Sequence, residues 1–328
     1  MINSQTQQFI SERGEWTAMA IRLPDGSYTR EPGVDHRLKR LVQCVQDFAG
    51  KPLAECRVLD LACLEGHYAI EFAAHGAEAV GIEAREASLD KCRYAKNALG
   101  LKRLTFFQDD VRNLSAAKYG KFDVVICSGI LYHLPAQDAA DLISSLADVC
   151  VGILLLDTFI SLFGRSSVTL RSGAARGHSY FEHDVGADQS SRAESLWASI
   201  DNNTSFWFTE ATLVNLLTAA GFTSVMEILA PTTPAFPRDR KTYLARRGKT
   251  ATIITSEPTN AERVHPMAEG VNPLMDASQT ERNMIFKVAK RVLPLSTKNA
   301  IKPVLRALRI MPADSTPEFM KKRGARSS

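Results

Sequence analysis

No apolar run in the 328 residues approaches the ~18 needed to cross a bilayer; one of the longest covers only residues 151–156. The opening residues, Met1-Ile-Asn-Ser-Gln, are polar and carry neither the apolar run nor the cleavage site of a secretory signal, so a cytoplasmic protein is expected. Cysteine is sparse and scattered, and Cys44, Cys56, Cys63, Cys92, Cys127 and Cys150 form no C-x-x-C pair. That argues against zinc ribbons and disulfide scaffolds and for reduced thiols. The chain has no internal repeat and no G-x-G-x-x-G loop, which weakens a dinucleotide reading because a pyrophosphate needs more glycine beside a helix N-terminus.

What is present is ordinary globular material, 45% hydrophobic and 23% charged, long enough to bury a sizeable core. The net charge of +4 conceals an asymmetry: residues 241–328 hold 17 basic and 7 acidic side chains, net +10, which leaves 23 basic and 29 acidic, net −6, in residues 1–240.

From residue 56, β-like runs at 57–62, 78–83, 104–108, 122–128 and 153–157 alternate with helix-period segments at 66–75, 85–99 and 136–149. A helix at 209–220 and strands at 223–229 and 241–246 complete the pattern. This predicts an α/β, Rossmann-like fold: a seven-stranded, mostly parallel sheet with helices on both faces and the last strand antiparallel. The continuous apolar runs are those of strands buried on both faces. Residues 1–55 read as an N-terminal helical cap with an irregular start and a helix at 35–48, whose apolar face carries Leu38, Leu41, Val42 and Val45. Residues 56–247 form the main domain, and 158–205, aperiodic and too long for a passive connection, read as a substrate-side insertion. Residues 248–328 read as a linker followed by a basic amphipathic extension, with short helices at 284–292 and 298–310.

Ligands of open α/β sheets bind beyond the carboxyl ends of the strands. The first strand leads into Val58-Leu-Asp-Leu-Ala-Cys-Leu-Glu-Gly-His67, where Ala62 and Gly66 admit close approach of a ligand to the backbone. Glu83 ends the second strand, placed for ribose hydroxyls. Asp109-Asp110-Val111 follows the third, where an aspartate accepts from an adenine amine and the Val111 N–H meets a ring nitrogen. In this order they describe a nucleoside site with little provision for phosphates.

These residues resemble the class I S-adenosylmethionine-dependent methyltransferases: V-L-D-L-A-C-x-E-G, V-G-I-E, Q-D-D-V and F-D-V-V-I-C-S-G-I-L-Y-H-L match the four motifs in order. Leu64-Glu65 departs from the usual G-x-G loop. The subgroup includes transfer RNA wobble-uridine carboxymethyltransferases and methyltransferases of small metabolites and sugars. The resemblance implies S-adenosylmethionine as cofactor, held by Asp60, Ala62, Cys63, Glu65 and Gly66 at its amino-acid end, by Glu83 and Ala84 at the ribose, and by Asp110 and Val111 at the adenine. Ser128 and Gly129 would flank the sulfonium, whose positive charge also suits an aromatic edge such as Tyr132.

For the acceptor, the expected function is methyl transfer to an oxygen of a small or sugar-like metabolite. Histidine titrates near neutral pH, so His133, after the fourth strand, is a candidate base, as are Asp157, His178 and His183; the alternative for His133 is closing the cofactor pocket. Tyr132, His178, Tyr180 and Glu182 are candidate acceptor contacts. The His178–His183 spacing matches no metal motif, and no metal is expected. Trp197 and Trp207 read as packing or, alternatively, as a stacking platform. The partner expected is a small-molecule acceptor; the basic C-terminal segment reads as a solvated interaction arm or, alternatively, as a surface for an anionic membrane or a polyanion, with nucleic acid not favoured. Two alternatives stand: an RNA-modifying (carboxy)methyltransferase, and a cofactor-binding regulator without catalysis.

Overall fold

The computed structural model describes residues 4–184, 186–229 and 238–249; the two C-terminal helices and the linker anticipated beyond them lie outside the described residues. The chain opens with α1 (Ser4–Arg13) and α2 (His36–Phe48). The Asp35 carboxylate accepts from the Arg37 and Leu38 amides and starts α2, which buries the anticipated Leu38, Leu41, Val42 and Val45. β1 (Arg57–Leu61), α3 (His67–Ala74), β2 (Glu78–Glu83), α4 (Glu86–Leu99), β3 (Leu104–Gln108), the short α5 (Ala116–Tyr119), β4 (Phe122–Ser128), α6 (Ala136–Val149) and β5 (Cys150–Phe159) follow. Gly100 ends α4 in the left-handed conformation (φ 65°) expected of a helix-terminating glycine. After β6 (Ser166–Leu170), β7 (Gly173–Phe181), α7 (Gln189–Glu194) and β8 (Thr204–Phe208) come α8 (Glu210–Ala219), β9 (Phe222–Glu227) and β10 (Arg240–Arg247).

The main sheet has the order β3-β2-β1-β4-β5-β10-β9. All neighbours are parallel except β10, antiparallel to both β5 and β9. Apolar clusters cover both faces: Leu146, Phe206 and Leu217 belong to one, Leu41, Val45 and Phe72 to the other. The chain leaves β1 toward β2 and β3 and returns to β4 on the other side, so the crevice between the carboxyl ends of β1 and β4 is the topological switch point where such folds bind ligands.

Two elements escape the sequence pattern. α1 is polar almost throughout and carries no apolar stripe. The insertion is ordered as a three-stranded antiparallel sheet, β6-β7-β8. Its central strand contains Gly173, Ala174, Ala175 and Gly177, which lack the β-branched and aromatic character by which strands are recognised. The small residue at 177 is required there, because a Cβ would lie 2.1 Å from the Trp207 carbonyl. No helix among the described residues is long and apolar enough to cross a membrane.

Candidate active site

The loop after β1 is bent sharply: Ala62 (φ 53°), Leu64 (φ 50°) and Gly66 (φ 80°) are all left-handed. For the two non-glycine residues this costs on the order of 1–3 kcal/mol each and persists only where neighbours enforce it. The Cys63 amide donates to the Ile82 carbonyl (3.0 Å) and the Gly66 amide to the Cys63 carbonyl (2.8 Å). The Leu64 amide donates to Glu83 Oε2 (2.9 Å). Glu83 Oε1 accepts from the Arg85 amide (2.9 Å). The carboxylate ending β2 therefore holds the β1 loop and still has lone-pair capacity on each oxygen. Burial pushes its carboxyl above the ordinary range, against the pull of those two amides. Asp60, 1% exposed, accepts from the Ala69 amide (2.9 Å), and burial pushes it up to about 7.

Glu65 has a different setting from the one its motif position implies. Its carboxylate accepts from the Thr17 amide (2.6 Å), the Thr17 hydroxyl (2.7 Å), the Ala18 amide (3.2 Å) and Lys91 Nζ (2.8 Å). Lys91 also donates to the Glu15 carbonyl (2.6 Å). Both Glu65 oxygens are thus engaged by the chain's own N-terminal segment and α4. At the β3 tip, Asp110 is forked by Arg112, whose Nη2 lies 2.6 Å from Oδ2, and the pair holds Asp110 below the ordinary carboxylate range. Val111 is buried beside it, while the Ala84 carbonyl accepts from Gln108. The Gly129 amide donates to the Asp157 carbonyl (2.9 Å). A Cβ at Gly129 would find Tyr132 Oη at 3.7 Å and Arg240 Nη2 at 3.8 Å, so the missing side chain leaves room at the β4 tip.

Beyond β4, a tight turn at Leu131–His133 brings His133 against the insertion. His133 Nδ1 lies 2.8 Å from Glu182 Oε2, which also accepts from the Ser199 amide (3.0 Å). The Glu182 side chain is fully buried. Burial alone would raise its carboxyl, but the bond to His133 and the Ser199 amide hold it below the ordinary value. An ionised carboxylate only accepts, so Nδ1 donates in this contact, and in the neutral imidazole Nε2 is then the acceptor. Glu182, anticipated as an acceptor contact, is instead the partner of His133.

A row of rings lies alongside. Tyr132 meets Phe159 edge-on (4.8 Å between centroids), Phe159 stacks on Trp207 (4.6 Å), and Trp207 stacks on Tyr180 (4.8 Å). His178 approaches Trp207 at 5.1 Å, and Arg240 Cζ lies 5.5 Å from the Phe159 centroid. Phe159 and Arg240 were not marked by any motif; only the pairing of β10 with β5, which sets Arg240 opposite Phe159, brings them here. Asp157, 1% exposed, is bonded by Arg37 (2.9 Å), Arg240 Nε (2.7 Å) and the Thr242 hydroxyl (2.7 Å). Burial opposes ionisation, yet the two guanidiniums hold the carboxyl below its ordinary value, which corrects its candidacy as a base. His178 Nδ1 contacts Ser161 Oγ (2.8 Å), and burial lowers its proton affinity. His183 Nε2 donates to the Ser199 carbonyl (2.6 Å), so that nitrogen is no acceptor. Trp197 is 40% exposed. No cluster of three metal-ligating side chains occurs among the described residues.

Residues 58–151 match the family described as Methyltransferase domain. The chain carries a class I S-adenosylmethionine-dependent methyltransferase domain. Over 93 residues, 28% of this chain and 38% of the relative, the chain is 31% identical to a ubiquinone biosynthesis O-methyltransferase of Acinetobacter baylyi. Over 121 residues, 36% of this chain and 26% of the relative, it is 28% identical to the 23S rRNA (uracil(1939)-C(5))-methyltransferase RlmD of Shewanella baltica. In both cases the match spans well under half of the relative. The crystal structure of the N-terminal domain of EvdMO1, determined in the presence of SAH and D-fucose, shares the fold: TM-score 0.59 at 22% identity, covering 76% of this chain and 98% of that one. The methyltransferase fold therefore extends well past the matched motifs.

Proposed function

We propose that the protein transfers a methyl group from S-adenosylmethionine to a hydroxyl oxygen of a small, ring-bearing or sugar-like acceptor, with His133 as the general base. The observation that carries this reading is the His133–Glu182 pair at the β4 tip, beside the row formed by Tyr132, Phe159, Trp207 and Tyr180. The similarity to an O-methyltransferase supports the oxygen acceptor.

The loop at residues 62–66 and the carboxylates Glu83 and Asp110 suit the cofactor: a tightly bent backbone with left-handed residues, a buried ribose acid, and an adenine acid in the order the strands present them. The cofactor supplies a methyl on a positively charged sulfur. Asp60 fixes the start of α3 and thereby the loop. Gly129 leaves room at the β4 tip, where the Tyr132 ring, with Arg240 Cζ 6.0 Å from its centroid, suits positive charge. Alignment of donor and acceptor contributes up to ~7–11 kcal/mol where the geometry is right. His133 Nε2 takes the acceptor's hydroxyl proton, and Glu182 stabilises the imidazolium so formed. Glu65, tied to Thr17 and Ala18, holds the N-terminal segment on the loop rather than touching the cofactor.

The test is untargeted. Protein incubated with methyl-labelled cofactor and fractionated cell extract should label a small, hydroxyl-bearing compound, with alkali-stable label on oxygen. Label confined to RNA would favour the RNA-modifying reading, and no transfer or cofactor binding at all would reject both.

A further inference from the structure

The adenine end of the site and the base are joined by an unbroken chain of polar contacts through the insertion. Arg112 Nη2 lies 2.6 Å from Asp110 Oδ2 and also bonds Asp201 Oδ2. Ser199 Oγ lies between Asn202 Oδ1, to which it donates, and Asp201 Oδ1 at 3.3 Å, so its one proton is shared between the two. The Ser199 amide donates to Glu182 Oε2 (3.0 Å), the oxygen that meets His133 Nδ1 at 2.8 Å. A second tie runs from the β2 tip: Arg85 Nη2 donates to the Ser195 and Ala198 carbonyls (2.9 and 3.0 Å). The insertion around residues 195–201 is thus fastened to both strand tips expected to hold adenosine, and at its other end it sets the partner of the base.

From this continuity we infer that Arg112 is a positioning residue that couples adenosine occupancy to the setting of His133, acting through Asp201, Ser199 and Glu182. The inference rests on the proposed cofactor assignment of Asp110. Both Asp110 oxygens are already occupied by Arg112: Oδ1 accepts from its amide (2.9 Å) and Nε (3.0 Å), Oδ2 from Nε (3.1 Å) and Nη2. A carboxylate offers about four lone-pair sites, so an incoming adenine amine must draw on capacity that the guanidinium now uses. What Arg112 gives up there passes to Asp201, and to Asp138, 3.4 Å from its Nη1. A firmer bond to Asp201 steadies the 199–202 turn, in which Ser199 Oγ meets both Asp201 and Asn202, and with it the Ser199 amide that donates to Glu182 beneath the imidazole. Cofactor binding then completes the base instead of merely preceding it.

The charged and titratable groups around His133 are Glu182, the adjoining Tyr132 phenol (rings 4.3 Å apart) and, beside that ring, Arg240 with Asp157. None of them is changed in the test variants. In the full-length protein the His133 imidazole is followed by NMR, its signal assigned by its loss in His133→Ala, and titrated with and without saturating S-adenosylhomocysteine. Calorimetry confirms saturation in each variant. In the wild type the nucleoside should raise the His133 midpoint, because a carboxylate held more firmly beneath the imidazole favours its charged form. In Arg112→Ala and in Asp201→Asn that movement should fall by at least half while the nucleoside still binds. Arg112→Lys should not restore it, because an ammonium keeps the charge but not the fork. An equal movement in wild type and both variants, or none in the wild type, overturns the coupling. Failure of the base assignment has a separate signature: full turnover in His133→Ala with the midpoint movement intact in the wild type.

Discussion

His133 and Glu182 stand 49 positions apart, yet Nδ1 of one lies 2.8 Å from Oε2 of the other, and the carboxylate is fully buried. The turn after β4 supplies the proposed base and the insertion supplies the carboxylate that meets it. Neither segment is complete alone. His133→Ala should lower turnover by about 10²–10⁴-fold with cofactor affinity unchanged. Glu182→Gln, which keeps the shape but removes the charge, should lower turnover less and leave the acceptor KM nearly constant. Steady-state kinetics on the labelled acceptor check both.

Glu83 ties the left-handed loop to the β2 tip and is the proposed ribose acid. Glu83→Ala should weaken cofactor binding by about 1–3 kcal/mol through lost charge-assisted hydrogen bonds. Calorimetry with S-adenosylhomocysteine measures it, with circular dichroism confirming a folded variant.

Asp157 should behave as a structural anion. Asp157→Asn leaves Arg37 and Arg240 without their charged partner and should destabilise the fold by about 3–5 kcal/mol at neutral pH. The pH dependence has a definite sign. A carboxyl held below its unfolded value stabilises fully above that value, and the contribution is lost as pH falls through the folded one. The stability difference between wild type and Asp157→Asn should therefore narrow toward acid pH, as urea midpoints between pH 7 and pH 3 would record.

Glu65→Gln should loosen the N-terminal segment. Amide exchange at Thr17 and Ala18, whose N–H groups donate to Glu65, should rise about 10-fold or more, the equivalent of ~1.4 kcal/mol of lost protection, while exchange in β4 and β5 stays put.

Much of the fold is legible in the sequence because parallel strands buried on both faces, such as Val124–Cys127 within β4, announce themselves as apolar runs between helix-period segments. The second sheet is not, since Gly177 is needed for the close approach of the Trp207 carbonyl and its small neighbours lack strand propensity. The proposed nucleoside half of the site is argued from residues lying at strand tips in chain order. On the acceptor side the sequence offers candidates but not their pairing, which is made only by tertiary contact: Arg240 reaches Phe159 through antiparallel β10, and Glu182 reaches His133 across the insertion. Glu65 shows what a motif position alone does not tell: its side chain is engaged by a distant stretch of the same chain.

The most direct measurement is a crystal structure of the protein with S-adenosylhomocysteine. The account predicts density beyond the carboxyl ends of β1, β2 and β4, with the ribose hydroxyls on Glu83, the adenine beside Asp110 and the thioether at Gly129, within reach of a group seated against His133. A nucleoside bound elsewhere, or one oriented with its sulfur away from Gly129 and His133, would contradict it.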